Sequence, residues 1–306
     1  MIPIVSRRPL LAFLPSPGRP PFRQIRRGRE LTIIAGFSGY GGQVLCSDSQ
    51  ETVDSYAKKS VNKIILVQCP NWRFAISGAG AGPYLDMVIQ SLDWTFTKGF
   101  EDSPSAVQKI IESQIAEHYK MHVWPRAASK DSAEIELLIA AQSYTWHETF
   151  LFHTRETAVN WCQEPKAIGV GSYLADYILD HLLSRHGDKY HLLSVAAYVL
   201  KKTRDYIEGC GMQSFIYLFT RNGEMVGLFE EDVQALEGVL DKFDEAVKTV
   251  FHSITDASDR FRKVDPAEEF KIVEDSMRAV VAAREHRENQ FREFSEKMKK
   301  RAESGG

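Results

Sequence analysis

Thr32-Ile33-Ile34-Ala35-Gly36-Phe37 is a short, almost wholly apolar run. Ser38-Gly39-Tyr40-Gly41-Gly42 interrupts it, and Gln43-Val44-Leu45-Cys46 resumes the apolar pattern before Ser47-Asp48-Ser49. Two apolar runs joined by a glycine-rich turn predict a β-hairpin. A second pair of strands follows, Lys63–Gln68 and Trp72–Ser77, divided by Pro70-Asn71. Gly78-Ala79-Gly80-Ala81-Gly82 then leads into a helical pattern from Pro83 to Trp94, with Pro83 in a first-turn position.

The pattern repeats downstream. Val107, Ile110, Ile111 and Ile115 line one side of a predicted helix over Ser105–Val123. Strands return at Ile135–Gln142 and Thr149–His153, and helices at Ser172–Leu183 and Leu192–Ile207. Ser214–Thr220 and Glu224–Phe229 flank Arg221-Asn222-Gly223, a hairpin turn in which Asn-Gly tolerates positive φ. Blocks of strands alternate with pairs of helices, unlike the strict alternation of a doubly wound sheet. The order suits an α+β fold of two stacked sheets covered by helices on each outer face, a four-layer αββα sandwich.

Residues 231–302 read as helix, interrupted near Asp265-Pro266. Glu268–Lys300 is rich in Glu, Lys and Arg, with Phe270, Val273, Met277, Val280 and Val281 as a narrow apolar stripe. It reads as a solvated helix, with docking to a partner as the alternative. No repeat at solenoid periods is present. Three parts are expected: residues 1–30, a globular domain over 31–230, and a helical C-terminal extension over 231–306.

Across 306 residues, 43% are hydrophobic and 26% charged, and the net charge is −3. That composition excludes a disordered tail protein, a collagen-like repeat and a disulfide scaffold. Four scattered cysteines without a C-x-x-C motif suit a reducing, cytoplasmic setting. The charge gives no electrostatic case for nucleic acid, and no apolar run is long enough to span a membrane. The average hides an uneven start. Residues 1–30 hold seven arginines, one acid and six of the 12 prolines, a charge of +6. The remaining 31 basic and 40 acidic residues give −9 to residues 31–306. Three readings of the first segment stay open: a transit-like peptide, a pro-segment or disordered arm, or untranslated sequence upstream of a start at Leu31.

Several tempting motifs fail. The 78–82 glycine run lacks G-x-G-x-x-G spacing because Pro83 takes the third glycine's place, and no ribose-binding acid follows. His147 and His153 are six apart, and His181, His186 and His191 five apart, so no metal site is expected. Neither a G-x-S-x-G elbow nor an H-E-x-x-H motif occurs. No cofactor is expected.

The segment 31–82 resembles the proteasome β-subunit family, threonine-type N-terminal nucleophile hydrolases, in a bacterial proteasome-like form. Leu31-Thr32-Ile33-Ile34-Ala35 is similar to the family's opening strand. Gly42–Ser49 resembles its second strand and following aspartate, and Ser60-Val61-Asn62-Lys63-Ile64 its lysine segment. Phe74-Ala75-Ile76-Ser77-Gly78 resembles the strand ending in an oxyanion-hole glycine, and Arg204-Asp205-Tyr206-Ile207-Glu208-Gly209 a later Asp…Ser-Gly segment. The resemblance covers roughly residues 31–230.

It implies peptide-bond hydrolysis by Thr32, with Asp48 and Lys63 beside it, Gly78 at the oxyanion and Asp205 supporting the amine. Ser172, Glu208 and Gly209 are implied as supporting positions. A homo-oligomer, possibly a ring, acting on peptide or protein substrates is implied too. A threonine hydroxyl needs a base, and an N-terminal threonine carries its own in a free α-amine of reference pKa near 8. Lysine stabilises the alkoxide, aspartate orients the lysine, and a backbone N–H holds the oxyanion. Several features depart from this pattern. Thr32 follows Glu30-Leu31 rather than a glycine, and Val170 and Glu208 stand where the family often has serines. Strand sequence alone would also allow the nucleophile's place to fall on Leu31. A catalytically inactive structural subunit and a small-amide hydrolase are therefore the alternative functions.

Overall fold

The computed structural model describes residues 32–53, 57–126, 133–228 and 230–255, with Lys271, Asp275, Arg278 and Asn289 as isolated helical positions. The basic segment 1–30 and most of the expected helix 268–300 lie outside the described residues.

β1 (Ile33–Gly39) and β2 (Gly42–Asp48) form the predicted hairpin, with Ile34 opposite Ser47 and Gly39 opposite Gly42. Its turn requires glycine. Gly42 has φ +132°, and a Cβ there would lie 2.1 Å from the Phe219 carbonyl oxygen. β3 (Gln50–Val53) and β4 (Ala57–Ser60) make a separate two-stranded ribbon. β5 (Ile65–Gln68) and β6 (Trp72–Gly80) are the second predicted pair. β7 (Ile135–Ser143), β8 (Glu148–Arg155) and β9 (Ala158–Cys162) extend it into a sheet of order β5-β6-β7-β8-β9. β10 (Lys166–Gly169), β11 (Ser214–Phe219) and β12 (Met225–Leu228) complete the hairpin's sheet, order β10-β1-β2-β11-β12. Both five-stranded sheets are antiparallel throughout.

Among the described residues these helices accompany them: α1 (Gly82–Thr97), α2 (Pro104–His118), α3 (Ser172–Leu182), α4 (Lys189–Tyr206) and α5 (Glu230–Thr255). Their starts are written locally. Ser103 accepts a bond from the Ala106 N–H at 3.1 Å ahead of Pro104, and Asp188 accepts one from His191 at 2.8 Å. The sequence predicts helix through Val123. The chain instead leaves α2 in a π-helical turn over Tyr119–Val123 and a 3-10 turn over Trp124–Arg126. Pro125 lacks the N–H that an α-helix would need there.

Three apolar clusters hold these elements. Ile34, Leu45, Ala75, Leu138 and Leu151 pack between the two sheets. Ile33, Val44, Leu179, Leu192 and Leu200 join the hairpin's sheet to α3 and α4, and Val233 and Leu236 of α5 enter the same cluster. Phe74, Ile76, Leu92, Phe96 and Ile111 join the other sheet to α1 and α2, with Phe74 and Phe96 stacked at 4.1 Å. β1 is therefore buried on both faces. That is why residues 33–37 read as a continuous apolar run rather than an alternating one. Among the described residues no helix is long and apolar enough to cross a membrane.

Candidate active site

The hairpin places Thr32 and Asp48 at adjacent strand ends, 16 residues apart in sequence and in contact in space. The Thr32 hydroxyl donates to Asp48 Oδ1 at 2.8 Å. Lys63, from the stretch leading into β5, donates from Nζ to Thr32 Oγ1 at 2.6 Å and to Asp48 Oδ1 at 3.0 Å. Its third proton goes to the Gln50 carbonyl. All three ammonium protons are thus used, and the stem is nearly enclosed, with 13% of the Lys63 side chain exposed against 5% for Asp48. A cation so placed can stabilise negative charge developing on Thr32 Oγ1, since the site is largely shut off from water.

Asp48 is fixed from two further directions. The Ile33 N–H donates to Oδ1 at 3.2 Å, and the Gly211 N–H donates to Oδ2 at 2.9 Å. Sheet register supplies the second, because β11 begins with Ser214 opposite Asp48. The Ser77 hydroxyl donates to the Lys63 carbonyl at 2.8 Å, tying the end of β6 to the lysine. Gly78, next along β6, lies opposite Leu137, and a Cβ on it would sit 2.4 Å from a Leu85 methyl. On the other side the backbone of 169–171 closes on Thr32. The Gly171 N–H donates to the Thr32 carbonyl at 3.4 Å. Gly169, at φ +91°, comes so near that a Cβ would be 2.3 Å from the same carbonyl oxygen.

Thr32, Asp48 and Lys63 are thus brought together, with Gly78 on the adjoining strand. Asp205 is paired elsewhere: its carboxylate meets Lys201 Nζ at 3.0 Å, one turn back along α4. Glu208 is exposed, Gly209 takes φ +93° in the loop after α4, and Ser172 is the first residue of α3. The sequence reading missed Gly211, the Gln50 carbonyl, Ser77 and Cys210. Gly211 reaches Asp48 across 163 residues of chain, through strand pairing that no local pattern announces. The Cys210 and Cys46 thiols are held protonated. Burial pushes the Cys210 thiol up to about 12, with the Asp48 charge adding to it, and burial does the same to Cys46. Among the described residues no group of three His, Cys, Asp or Glu side chains could hold a metal ion.

The fold is proteasome-like. Among solved structures the chain is similar to Anbu, an ancestral beta-subunit, from Yersinia bercovieri, with TM-score 0.61 and 14% identity over 72% of this chain and 96% of that one. It is also similar to Anbu from Hyphomicrobium sp. strain MC1, with TM-score 0.58 and 13% identity over 72% and 97%. A structure described as a helical assembly of the Anbu complex from Pseudomonas aeruginosa gives 0.60 and 13% over 71% and 94%. No family model and no curated protein matches the chain. These findings correct the expected kinship with the proteasome β-subunit family itself: the neighbours are Anbu, a distinct proteasome-like group. The motifs in residues 31–82 report a hairpin and a strand order, and such features belong to the fold rather than to one branch of it.

Proposed function

We propose that this protein is a threonine-type amide hydrolase of the N-terminal nucleophile kind, built as a four-layer αββα sandwich and acting on peptide bonds as a homo-oligomer. The observation that carries the reading is the 2.6 Å bond from Lys63 Nζ to Thr32 Oγ1, with Asp48 bound to both. Once water has hydrolysed the Leu31–Thr32 bond, leaving a carboxylate on Leu31 and a free amine on Thr32, that α-amine takes the hydroxyl proton as Oγ1 attacks the substrate carbonyl. The Lys63 ammonium stabilises the developing charge on Oγ1, and the Gly78 N–H is the donor for the carbonyl oxygen. The leaving amine departs with the proton, and water then releases the acyl group from Thr32. Because the amine must be neutral to act, activity rises with pH through about 8.

The three apolar clusters support the layered architecture. The helical assembly described for the Pseudomonas aeruginosa neighbour supports self-association. Four free cysteines support a reducing, cytoplasmic setting. The test is hydrolysis of fluorogenic peptides by the purified protein. Thr32→Ala abolishes it, and full activity in that variant would overturn the reading. A structural subunit without activity is the second reading. It is favoured by the internal position of Thr32, whose side chain is enclosed with the residue only 1% exposed.

A further inference from the structure

Glu136 and His153 form a pair that the hydrolytic machinery does not use. His153 Nε2 and Glu136 Oε1 are 2.6 Å apart; the His153 side chain is 7% exposed and that of Glu136 38%. Strand alternation fixes which way they face. Leu138 of β7, Leu151 of β8 and Ala75 of β6 all lie in the cluster between the sheets. Glu136, His153, Ser77 and Ala79 share their parity and face the same inter-sheet space. They also occupy the Thr32 end of it, because Ala79 pairs with Glu136 and Ser77 bonds to the Lys63 carbonyl.

From the Lys63 position to β7 is two strand spacings, roughly 10 Å. An extended peptide covers that in about three residues. Carboxylates gather around the ends of β7 and β8. Glu134, Glu136 and Glu156 all act on the Tyr119 phenol, which burial and these charges push up to about 12. Arg155 is exposed at the end of β8. His153 holds one oxygen of Glu136 in place from a buried position. The Glu136 side chain, 38% exposed, can then meet a ligand with its direction already set, which reduces the ordering cost of binding.

We propose that the Glu136–His153 pair selects substrates, holding a basic side chain about three residues from the bond presented to Thr32. The proposal rests on the hydrolase reading above, so its test measures binding without turnover. Dye-labelled heptapeptides carrying one Lys, Ala or Glu at stepped positions are titrated into the full-length Thr32→Ala protein and followed by fluorescence anisotropy. The Lys peptide of the right register binds about tenfold more tightly than its Ala counterpart. That advantage shrinks as salt is raised. Glu136→Gln removes it, and Glu136→Lys transfers it to the Glu peptide. Equal binding of the three peptides by the Thr32→Ala protein would overturn the proposal without reference to any Glu136 variant. So would a Lys preference that survives both Glu136 substitutions. Absence of hydrolysis with Thr32 intact would instead count against the hydrolase reading alone.

Discussion

Among the described residues two constellations of lysine and carboxylate stand out, and they serve different ends. Around Thr32, one ammonium and one carboxylate are buried and share a hydroxyl, with the backbone of 33, 50 and 211 completing the coordination. Between α4 and α5, Lys201 meets Asp205 and Asp241, Lys202 meets Asp244, and Arg204 meets Glu237. That second set is a ladder with no nucleophile inside it. Its work is to hold α5 along α4, alongside Val233 and Leu236. Residue type alone does not separate the two. The lysines are equally enclosed, Lys63 and Lys201 both 13% exposed; a deeper carboxylate, Asp48 at 5%, and a hydroxyl bonded to both charges make the difference.

The sharpest way to break this contrast is to remove Lys63. Lys63→Ala leaves Asp48 charged and enclosed, so the protein loses about 3–5 kcal/mol of stability in urea titration. It also loses turnover by at least about a hundredfold. A wild-type melt would show the site to be no more than a surface pair. In the ladder, Asp244→Ala strands Lys202 and the Tyr198 hydroxyl, which Asp244 accepts at 2.7 Å. It costs about 1–2 kcal/mol and leaves peptide hydrolysis unchanged. Asp205→Asn is milder still. Its carboxylate is more than a third exposed, so the loss stays under about 0.5 kcal/mol with no change in activity. A collapse of activity in this variant would return Asp205 to the catalytic group. The smallest effect is expected from thiol reagents. Held protonated by burial, Cys210 and Cys46 resist alkylation in the folded protein at neutral pH, and hydrolysis continues. Rapid inactivation with label at Cys210 would contradict that.

The division between what could be read from the chain and what could not follows the range of each interaction. The hairpin was legible because its two apolar runs and glycine turn are contiguous, and Thr32 and Asp48 came with it. Lys63 was legible through the resemblance carried by Ser60–Ile64, just ahead of β5. β9 and β10 were not: Ala158–Cys162 and Lys166–Gly169 are short, and their edge positions owe more to pairing with β8 and β1 than to their own composition. Gly211 was hidden for the same reason. Its bond to Asp48 depends on β11 lying beside β2, which only the assembled sheet decides. Asp205 was named through the resemblance of 204–209 to a later Asp…Ser-Gly segment; in the structure Lys201, four residues earlier on the same helix, meets its carboxylate.

The central claim is that Thr32 acts as an N-terminal nucleophile, and the identity of the first residue of the active protein tests it most directly. Intact mass and terminal sequencing of the hydrolytically active fraction are predicted to show a chain beginning at Thr32, with an acylating inhibitor bound to that residue. An active chain that still carries Leu31 would contradict the account.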